Sequence, residues 1–548
     1  MDVTPLLEIR PAPRAVFDRL PTHRHRARFH VRQQPQQPNG SAATMSWQPV
    51  TWGQFATQIR GVARWLIERE CEPGDRIAIF APNSVAWASC ALGAQTAGGV
   101  FVPIYPASTP DQIAYILEHA DIRFVFASAD LYPRIEQARR AIQHSLDVVE
   151  IEDCAWLPGS TPATDSCVQA AAARDADAPT QVDARLGAIE LDQTAQMLYT
   201  SGTSGNPKGV PLSHRNVGVN GADWLRCNAA LVEEGQIDLL WLPMSHIFGF
   251  GELCAGNLLG WETYLASPAD VLDLLPQVAP HVLFSVPAYW EKLARAMSAG
   301  SDHEDARRAA IKRATGGRLQ FCLSGGAGLK VEIKQQLHAA GVLVIEGYGL
   351  TETSPTLTLN RPDAFRFDTV GKVLPSVELR LAEDGEIETR GAHVFAGYYK
   401  DAEATAGAFT TDGWFKTGDV GRWTPDGFLQ IIDRKKDILV TAGGKNIPPA
   451  NIEARFADDP VIERVVVYGD ARPFLVAAVW TRDDANRDEV AARVEVVNRE
   501  LARHETIKRF FVHEQPLTVE GGTLTTSLKL RRKAVYEQLR ERFEALYS

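Results

Sequence analysis

Cysteine is scarce in this sequence, and basic residues do not outnumber acidic ones. The seven cysteines show no CxxC or other metal-ligand spacing, and their number is odd. This pattern predicts unpaired thiols in a reducing compartment and offers no cysteine-based metal site. The formal net charge is -11, which disfavours a nucleic-acid-binding surface because such a surface needs a basic excess. No basic patch leads into an apolar run at the N-terminus, so no secretory signal is expected.

The sequence also lacks an uninterrupted hydrophobic run of the kind that spans a membrane. Residues 77–110 carry no charged side chain, but Asn83, Gln95, Pro103 and Pro106 interrupt them. This segment predicts a buried strand–helix–strand unit of an α/β sheet rather than a bilayer helix. We therefore expect no transmembrane segment and a cytoplasmic location, while peripheral contact with a membrane surface stays open.

A chain of 548 residues is too long for one ordinary core, so two or more lobes are expected. Residues 1–45 are predicted to be irregular. From Thr51 to about residue 360, strand and helix patterns alternate, which predicts an α/β fold with a parallel sheet covered by helices. Two hairpin patterns within residues 379–432 predict a β-rich lobe. A small α+β tail follows, with one helical stripe formed by Val490, Val494, Val497 and Leu501.

The segment Tyr199–Gly209 has the composition of a polyphosphate-binding loop, with glycines, hydroxyl side chains, a proline and Lys208. Glycines let backbone N–H groups surround an anion, and the hydroxyls and the lysine add donors and positive charge. A Walker A loop needs Gly-Lys followed by Ser or Thr, whereas Lys208 lies between Pro207 and Gly209, so the P-loop class is disfavoured. A flexible Gly/Ser linker is the alternative.

A second motif, Glu346–Thr353, follows an apolar segment that ends at Ile345. In an open α/β sheet, ligands bind at the carboxyl ends of strands, where Thr351 and Glu352 are expected to lie. A carboxylate beside a triphosphate needs a cation between the two, so Glu352 is predicted to bind Mg²⁺. The alternative is a glycine-broken strand end with a solvated glutamate.

These motifs resemble those of the acyl-adenylate-forming enzymes, which include acyl-CoA synthetases, beetle luciferases and peptide-synthetase adenylation domains. The family loop usually has Thr where this chain has Ser204, and the hydroxyl is kept. The resemblance implies that Thr200 and Glu352 hold the metal and that Gly326 and Ala327, in a Ser-Gly-Gly-Ala-Gly turn, contact adenine. It assigns phosphate binding to Thr200, Ser201, Gly202, Thr203, Ser204, Gly205 and Lys208, and AMP binding to Gly347, Tyr348 and Gly349. It also implies catalytic roles for Thr351 and Glu352.

Further resemblances lie toward the C-terminus. The segment Trp414–Asp419 resembles the family motif whose aspartate accepts bonds from the ribose hydroxyls, and Arg434 resembles the arginine that also reaches the nucleotide. A turn aspartate after glycine is the alternative for Asp419. The resemblance implies a hinge at Lys436 and hence two domains, residues 1–435 and 436–548, with the smaller one mobile.

Gly443 and Gly444 resemble the family site where the pantetheine arm of CoA passes close to the backbone, and a polar hairpin is the alternative. Near the end of the chain, Lys529 matches the family lysine that reaches the reacting carboxylate and the α-phosphate, with Lys533 as its rival. His246 resembles a residue that orients the substrate carboxylate, and a buried structural histidine is equally consistent with the sequence.

The resemblance identifies the chain as a member of this superfamily and implies an acid–thiol ligase that uses ATP, Mg²⁺ and CoA. The acid is expected to be a small-molecule carboxylic acid of the medium- to long-chain fatty type. An amino-acid substrate is disfavoured because Phe248 to Phe250 stand where amino-acid-activating domains place an aspartate. Two alternatives stay open: a ligase that loads an acyl carrier protein, and a non-catalytic module that binds acyl groups or nucleotides.

Overall fold

The fold is taken from a computed structural model that describes residues 1–33, 46–151, 181–200, 206–298, 304–457, 459–482, 486–519, 521–525 and 529–548. Within these ranges the chain forms two large sheets, a smaller antiparallel sheet and a C-terminal three-stranded sheet. Helices cover the two large sheets, as the alternating sequence pattern predicts.

A six-stranded sheet contains the residues that flank the glycine-rich loop. Its strands pair in parallel except for the last two, which form an antiparallel hairpin. In spatial order they are Asp147–Glu150, Phe124–Ala127, Arg76–Phe80, Val100–Pro103, Thr194–Thr200 and Lys208–Ser213. The helices that accompany them are Trp52–Glu68, Val85–Thr96, Pro110–His119, Tyr132–Arg139 and Gln181–Gly187.

The uncharged run at residues 77–110 forms the strand–helix–strand unit that the sequence predicts. Every residue of the helix Val85–Thr96 is buried, and the flanking strands lie in the six-stranded sheet. Ser84 caps this helix by accepting a hydrogen bond from the Trp87 N–H. Across the described ranges, no helix combines the length and apolar character that a membrane crossing requires.

A nine-stranded sheet holds the second motif. Its order is Lys372–Val373, Thr356–Leu359, Val344–Gly349, Phe321–Ser324, Val282–Ser285, Ile237–Leu240, Glu262–Leu265, Ala27–Gln33 and Ser46–Thr51. The longer helices in this part of the chain are His214–Cys227, Ile247–Leu259, Val271–Val278, Pro287–Ser298, Glu304–Thr315 and Val331–Ala339.

The prediction that residues 1–45 are irregular is wrong for Ala27–Gln33. This segment is a strand that pairs in parallel with Glu262–Leu265 and antiparallel with Ser46–Thr51. Basic and polar side chains hid its pattern, and one of them, Arg28, is fully buried and bonds to Asn257. Two short helices precede the strand, Arg14–Phe17 and Leu20–His23.

The predicted β-rich lobe is a four-stranded antiparallel sheet formed by Glu378–Leu381, Glu386–Arg390, Phe415–Trp423 and Leu429–Arg434. The short helix Ala402–Ala408 lies between its second and third strands. Asp419 and Arg434 are register partners on the last two strands. The fold therefore brings together two residues that are 15 positions apart in the sequence.

The C-terminal region is built around the three strands Ile462–Tyr468, Leu475–Thr481 and Ile507–Val512. It begins with a hairpin of Leu439–Val440 and Asn446–Ile447, and its helices are Pro449–Glu453, Arg487–Asn498, Arg532–Gln538 and Arg540–Ala545. Val490, Val494 and Val497 are buried on one helix face as predicted. Leu501 packs against the same core from beyond the end of that helix at Asn498.

Removing Arg532 should destabilise the C-terminal region. Its guanidinium bonds both Glu453 carboxylate oxygens, at 2.5 and 2.7 Å, and both side chains are largely shielded from solvent. We expect Arg532→Met to lower the opening free energy of the strand Ile462–Tyr468 by about 3–5 kcal/mol, because the Glu453 charge loses its partner. Native-state hydrogen exchange measures this quantity.

Lys533→Met is the matched control, because Lys533 is exposed on the same helix and lies 3.9 Å from Glu537. It should change the opening free energy by less than about 0.5 kcal/mol. Equal effects of the two substitutions would contradict a stabilising role for the Glu453–Arg532 pair.

Candidate functional site

The glycine-rich loop is bracketed by an antiparallel strand pair. Thr200 ends one strand and Lys208 begins the next, and the two residues are register partners. Both therefore lie at the base of the loop, where a phosphate chain would enter. The predicted loop residues Ser201, Gly202, Thr203, Ser204 and Gly205 lie outside the described part of the chain.

Tyr398 connects this loop to the second motif. The Lys208 ammonium lies 4.6 Å from the centre of the Tyr398 ring, and the Tyr398 hydroxyl donates to Glu352 Oε1 at 3.0 Å. The sequence prediction did not include Tyr398, although an aromatic pair directly after Gly397 was a visible signal. Lys208 and Glu352 therefore belong to one cluster of contacting side chains.

Glu352 sits in a one-turn 3₁₀ helix, Thr351–Thr353, immediately after the Gly-Tyr-Gly strand end. Burial raises the pKa of Glu352, and the hydrogen bond from Tyr398 acts in the opposite direction. No cluster of three or more His, Cys, Asp or Glu side chains able to hold a metal occurs among the described residues. A single carboxylate such as Glu352 fits Mg²⁺, which takes one or two carboxylates and fills its other positions with water and phosphate oxygens. Thr200, the other predicted metal ligand, is the register partner of Lys208, whose ammonium group lies over the Tyr398 ring.

The glycines of the second motif have a packing role. A Cβ atom on Gly349 would lie 1.7 Å from the Pro355 carbonyl oxygen, so no other residue fits there without moving the backbone. A Cβ atom on Gly347 would be less crowded, at 2.9 Å from a Leu359 side-chain carbon and 3.1 Å from the Thr358 carbonyl oxygen on the neighbouring strand. Gly326 and Ala327, the predicted adenine-contacting residues, lie in an exposed turn where Gly326 has φ +83°. A left-handed backbone of this kind favours glycine.

Asp419 is the most connected carboxylate of the site. Its Oδ2 accepts a hydrogen bond from the Tyr348 hydroxyl at 2.7 Å, and its Oδ1 lies 2.8 Å from Arg434 Nε. Burial raises the pKa of Asp419, whereas Arg434, Tyr348, Lys436 and Lys529 all act to lower it. Asp419 therefore joins the second motif to the β-rich lobe and faces positive charges on both sides of the predicted domain boundary.

Lys529 reaches this cluster from the C-terminal region. The Lys529 residue is exposed at the protein surface. Desolvation by the surrounding protein and the positive charge of Arg434 lower the pKa of Lys529, whereas the Asp419 carboxylate raises it. Lys533, its rival in the sequence, pairs instead with Glu537 on its own helix. The structure thus brings Lys529, and not Lys533, to the motif residues.

His246 caps the helix Ile247–Leu259, and its Nδ1 accepts the Phe248 N–H at 3.2 Å. Desolvation, with a smaller contribution from Lys529, lowers the pKa of His246 to about 4. The imidazole is therefore neutral near pH 7 and carries its proton on Nε2, from which it can donate a hydrogen bond.

The predicted hinge and CoA residues lie just beyond the last strand of the β-rich lobe. Lys435 is tied to that lobe by ion pairs with Asp384 and Glu386 at 2.5 and 2.7 Å. Lys436 is the next residue and is exposed. Gly443 and Gly444 occupy an exposed hairpin turn, which matches the alternative description of this segment as a polar hairpin.

An inner cavity opens beside the second motif. It lies between the helices His214–Cys227 and Ile247–Leu259 and the strand Thr194–Thr200, and residues 6–15 contribute to its wall. The cavity lining also includes Phe248 and three residues that come shortly after Glu352 in the chain, Ser354, Pro355 and Thr356. Most of the lining side chains are apolar. The cavity can therefore accept an apolar group, and its lining includes Ile247, the neighbour of His246 in the chain, and Ser354, two positions after Glu352.

Comparisons with known proteins agree with this arrangement. The family model described as AMP-binding enzyme matches residues 31–399, and the one described as AMP-binding enzyme C-terminal domain matches residues 436–548. The chain is 32% identical to long-chain-fatty-acid–CoA ligase FadD15 of Mycobacterium bovis over 92% of this chain and 93% of that protein. It is 27% identical to human long-chain-fatty-acid–CoA ligase 6, over 91% of this chain and 83% of that protein.

Solved structures share the fold. An ATP-bound RpMatB-BxBclM chimera superposes with a TM-score of 0.77 at 23% identity, covering 98% of this chain and 100% of that one. O-succinylbenzoate coenzyme A synthetase from Bacillus subtilis, in complex with AMP, gives a TM-score of 0.72 at 20% identity, covering 96% and 98% of the two chains. The predicted α/β fold class, with a large N-terminal and a smaller C-terminal domain, is thereby confirmed.

Asp419→Asn should weaken ATP binding. The substitution removes the charge that pairs with Arg434 and would accept bonds from ribose, so we expect the Kd for ATP to rise about tenfold to a hundredfold. Isothermal titration calorimetry measures the effect. Asp426→Asn is the control, because Asp426 pairs with Arg366 on an exposed face. An unchanged Kd in the Asp419 variant would contradict the ribose assignment.

Proposed function

Because this chain belongs to the AMP-binding enzyme family, we propose that it is an ATP-dependent fatty-acid–CoA ligase. It converts a fatty acid, ATP and CoA into acyl-CoA, AMP and pyrophosphate, with acyl-AMP as the intermediate. The names of its relatives specify long-chain fatty acids, and the largely apolar inner cavity supports a substrate of that class.

One observation carries the proposal. Lys529, from the C-terminal region, interacts electrostatically with Asp419, Arg434 and His246, which belong to three separate motifs of the N-terminal part. A mobile ammonium group at the junction of a nucleotide site and an apolar cavity suits a reaction between a carboxylate and a phosphate. A module that only binds nucleotide or acyl groups would not require a lysine from the C-terminal region beside these three motifs.

The first half-reaction joins the acid to the nucleotide. A carboxylate oxygen attacks the α-phosphorus of ATP, the bond to the β-phosphate oxygen breaks, and pyrophosphate leaves. Lys529 lies between the two negatively charged reactants and stabilises the charge that accumulates on the α-phosphate in the transition state. Neutral His246 donates its Nε2 proton as a hydrogen bond and orients the carboxylate without adding a competing charge.

Glu352 and Thr200 are the proposed metal ligands. Their oxygens suit Mg²⁺, and a bound Mg²⁺ supplies positive charge that offsets repulsion between the Glu352 carboxylate and the phosphates. Lys208, held over the Tyr398 ring beside Glu352, contributes a second positive charge on the phosphate side. The glycine-rich loop would surround the same phosphates with backbone N–H groups.

The second half-reaction transfers the acyl group. The CoA thiolate attacks the acyl carbon of acyl-AMP, a thioester forms, and AMP leaves. No cysteine of the chain is required as a nucleophile. The described cysteines lie outside the motifs and form no disulfide with one another; they are Cys71, Cys90, Cys227, Cys254 and Cys322. In this proposal the small domain, residues 436–548, rotates at Lys436 so that Lys529 withdraws and the Gly443–Gly444 turn approaches the site.

Lys529→Ala should separate the two half-reactions. We expect acyl-AMP formation to fall about a hundredfold to a thousandfold, as when one charge-stabilising donor is removed from an active site. Thioester formation from supplied acyl-AMP and CoA should stay within about threefold, because that step does not use the lysine. Pyrophosphate release and acyl-CoA formation are measured separately.

Lys533→Ala is the matched control, and it should leave both half-reactions within about twofold. The same assay with wild-type enzyme, run with a panel of carboxylic acids with and without CoA, tests the proposed function itself. No pyrophosphate release with any acid would reject it, and equal loss of both half-reactions in Lys529→Ala would reject the role of this lysine.

Lys436→Pro should block the second half-reaction more than the first. Proline fixes φ and removes the rotation that domain movement needs, while the conformation that forms acyl-AMP is kept. We expect acyl-CoA formation from supplied acyl-AMP to fall more than about tenfold, with a smaller change in pyrophosphate release. Lys436→Ala keeps the backbone freedom and serves as control. Unchanged CoA transfer in the proline variant would contradict a hinge at this position.

A further inference from the structure

Three of the longer polar side chains that line the inner cavity are Gln95, Gln196 and Glu252, and most of the other lining side chains are apolar. The buried Ser354 hydroxyl, which also lines the cavity, likewise has no hydrogen-bond partner among the described residues. The exposed fractions of Gln95, Gln196 and Glu252 are 1%, 0% and 0%. We call these three residues the polar wall. None of them belongs to the nucleotide-binding motifs, and the two half-reactions described above use none of them.

The polar wall has hydrogen-bonding capacity that no described residue satisfies. Both amide atoms of Gln196, both carboxyl oxygens of Glu252 and Oε1 of Gln95 lack a partner in the described part of the chain. Buried polar groups are almost always paired, because leaving them unpaired costs free energy. Five such atoms on one cavity wall therefore point to a ligand that supplies the missing bonds.

Backbone and ring contacts bring the three side chains to one region. Gln95 Nε2 donates to the carbonyl oxygen of Ala195, the residue next to Gln196, at 3.2 Å. Phe101 is the register partner of Gln196, and its ring centre lies 4.8 Å from that of Phe250. Phe250 precedes Glu252 by two positions on the helix Ile247–Leu259. The three side chains therefore come together where this helix contacts the six-stranded sheet.

The surroundings of Glu252 favour its neutral form. Burial and the nearby Asp238 raise the pKa of Glu252 well above its usual value. Arg28, the buried cation of this region, bonds to Asn257 and Thr263, and Thr263 in turn bonds to Asp238. A protonated Glu252 presents one donor and one acceptor to the cavity, as an amide does.

We propose that the polar wall binds a hydroxyl group on the alkyl chain of the fatty-acid substrate. This inference rests on the proposed function, because it names the substrate class that the same cavity selects. A hydroxyl group both donates and accepts, so it matches the donor and acceptor of Gln196 and of protonated Glu252. The preferred substrate is therefore a hydroxy fatty acid rather than a plain one.

Two other occupants fit less well. A plain alkyl chain would exclude water from the wall and leave all five polar atoms unpaired. A terminal ammonium group would require Glu252 to ionise in a buried site, and it could not accept a bond from the Gln196 amide N–H. A site built to bond a hydroxyl discriminates strongly against the analogue that lacks it, because the buried polar groups then lose their partners.

The test compares three series of acids in the pyrophosphate-release assay with saturating ATP. These are the straight-chain acids from hexanoic to hexadecanoic, their ω-hydroxy derivatives and their ω-amino derivatives. At one or more chain lengths, we expect the kcat/KM of the hydroxy acid to exceed that of the plain acid by about tenfold or more. In a cavity without hydrogen-bonding groups, the hydroxyl would weaken binding and lower kcat/KM. A higher kcat/KM for the hydroxy acid therefore indicates that polar groups of the cavity bind the hydroxyl.

Substitutions connect the preference to the wall. Glu252→Leu should reduce the hydroxy-to-plain ratio about tenfold, and Glu252→Gln, which keeps a donor and an acceptor, should restore it. Gln196→Leu serves as a second test should the first variant fail to fold. Gln236→Leu is the control, because Gln236 is buried but does not line the cavity. It should leave the ratio unchanged.

The outcomes separate this inference from the proposed function. Pyrophosphate release with plain acids faster than with hydroxy acids at every length would overturn the inference and leave the ligase assignment intact. A preference for the amino series would also overturn it. A hydroxy preference that survives Glu252→Leu and Gln196→Leu would exclude the polar wall as its source. No release with any acid would overturn the proposed function, and this inference with it.

Discussion

The Asp419 carboxylate is the interaction on which the proposed site depends. It accepts the Tyr348 hydroxyl, pairs with Arg434 and lies within electrostatic reach of Lys529. This one carboxylate therefore interacts with residues from the nine-stranded sheet, the β-rich lobe and the C-terminal region. A buried carboxylate needs such partners, because an uncompensated charge in that position would be strongly destabilising. In the proposed function, this carboxylate would exchange part of its bonding for the ribose hydroxyls when nucleotide binds.

Much of this arrangement could be predicted from the sequence. Periodicity predicted the strand–helix–strand unit over residues 77–110, and Asp-Gly turns predicted the hairpins of the β-rich lobe. The strand Ala27–Gln33 was missed because Arg28, a residue that rarely reaches a core, is buried in it. Tyr398 and the polar wall were missed because their roles arise from contacts between distant segments. For Glu252, the visible signal was the single charged residue in the mostly apolar helix Ile247–Leu259.

One glycine of the second motif, Gly349, also determines how the chain packs beside the proposed site. Gly349 is required because any side chain there would collide with the Pro355 carbonyl. The absence of a side chain lets the segment that follows Glu352 lie close to the strand that contains Gly349. That short segment also forms part of the cavity lining. The proposed metal ligand and the proposed acyl site are therefore positioned by one local structure, which would couple the placement of the phosphates to that of the acid.

The central claim is that a lysine from the C-terminal region meets the acid at the innermost phosphorus of the nucleotide. A crystal structure with a non-hydrolysable acyl-adenylate analogue tests this most directly. The account predicts Lys529 Nζ within hydrogen-bonding distance, about 3 Å, of an oxygen on the phosphorus or the acyl group, with Asp419 on the ribose. A complex that binds the analogue with Lys529 in the same domain arrangement, but with its ammonium group directed into solvent, would contradict it.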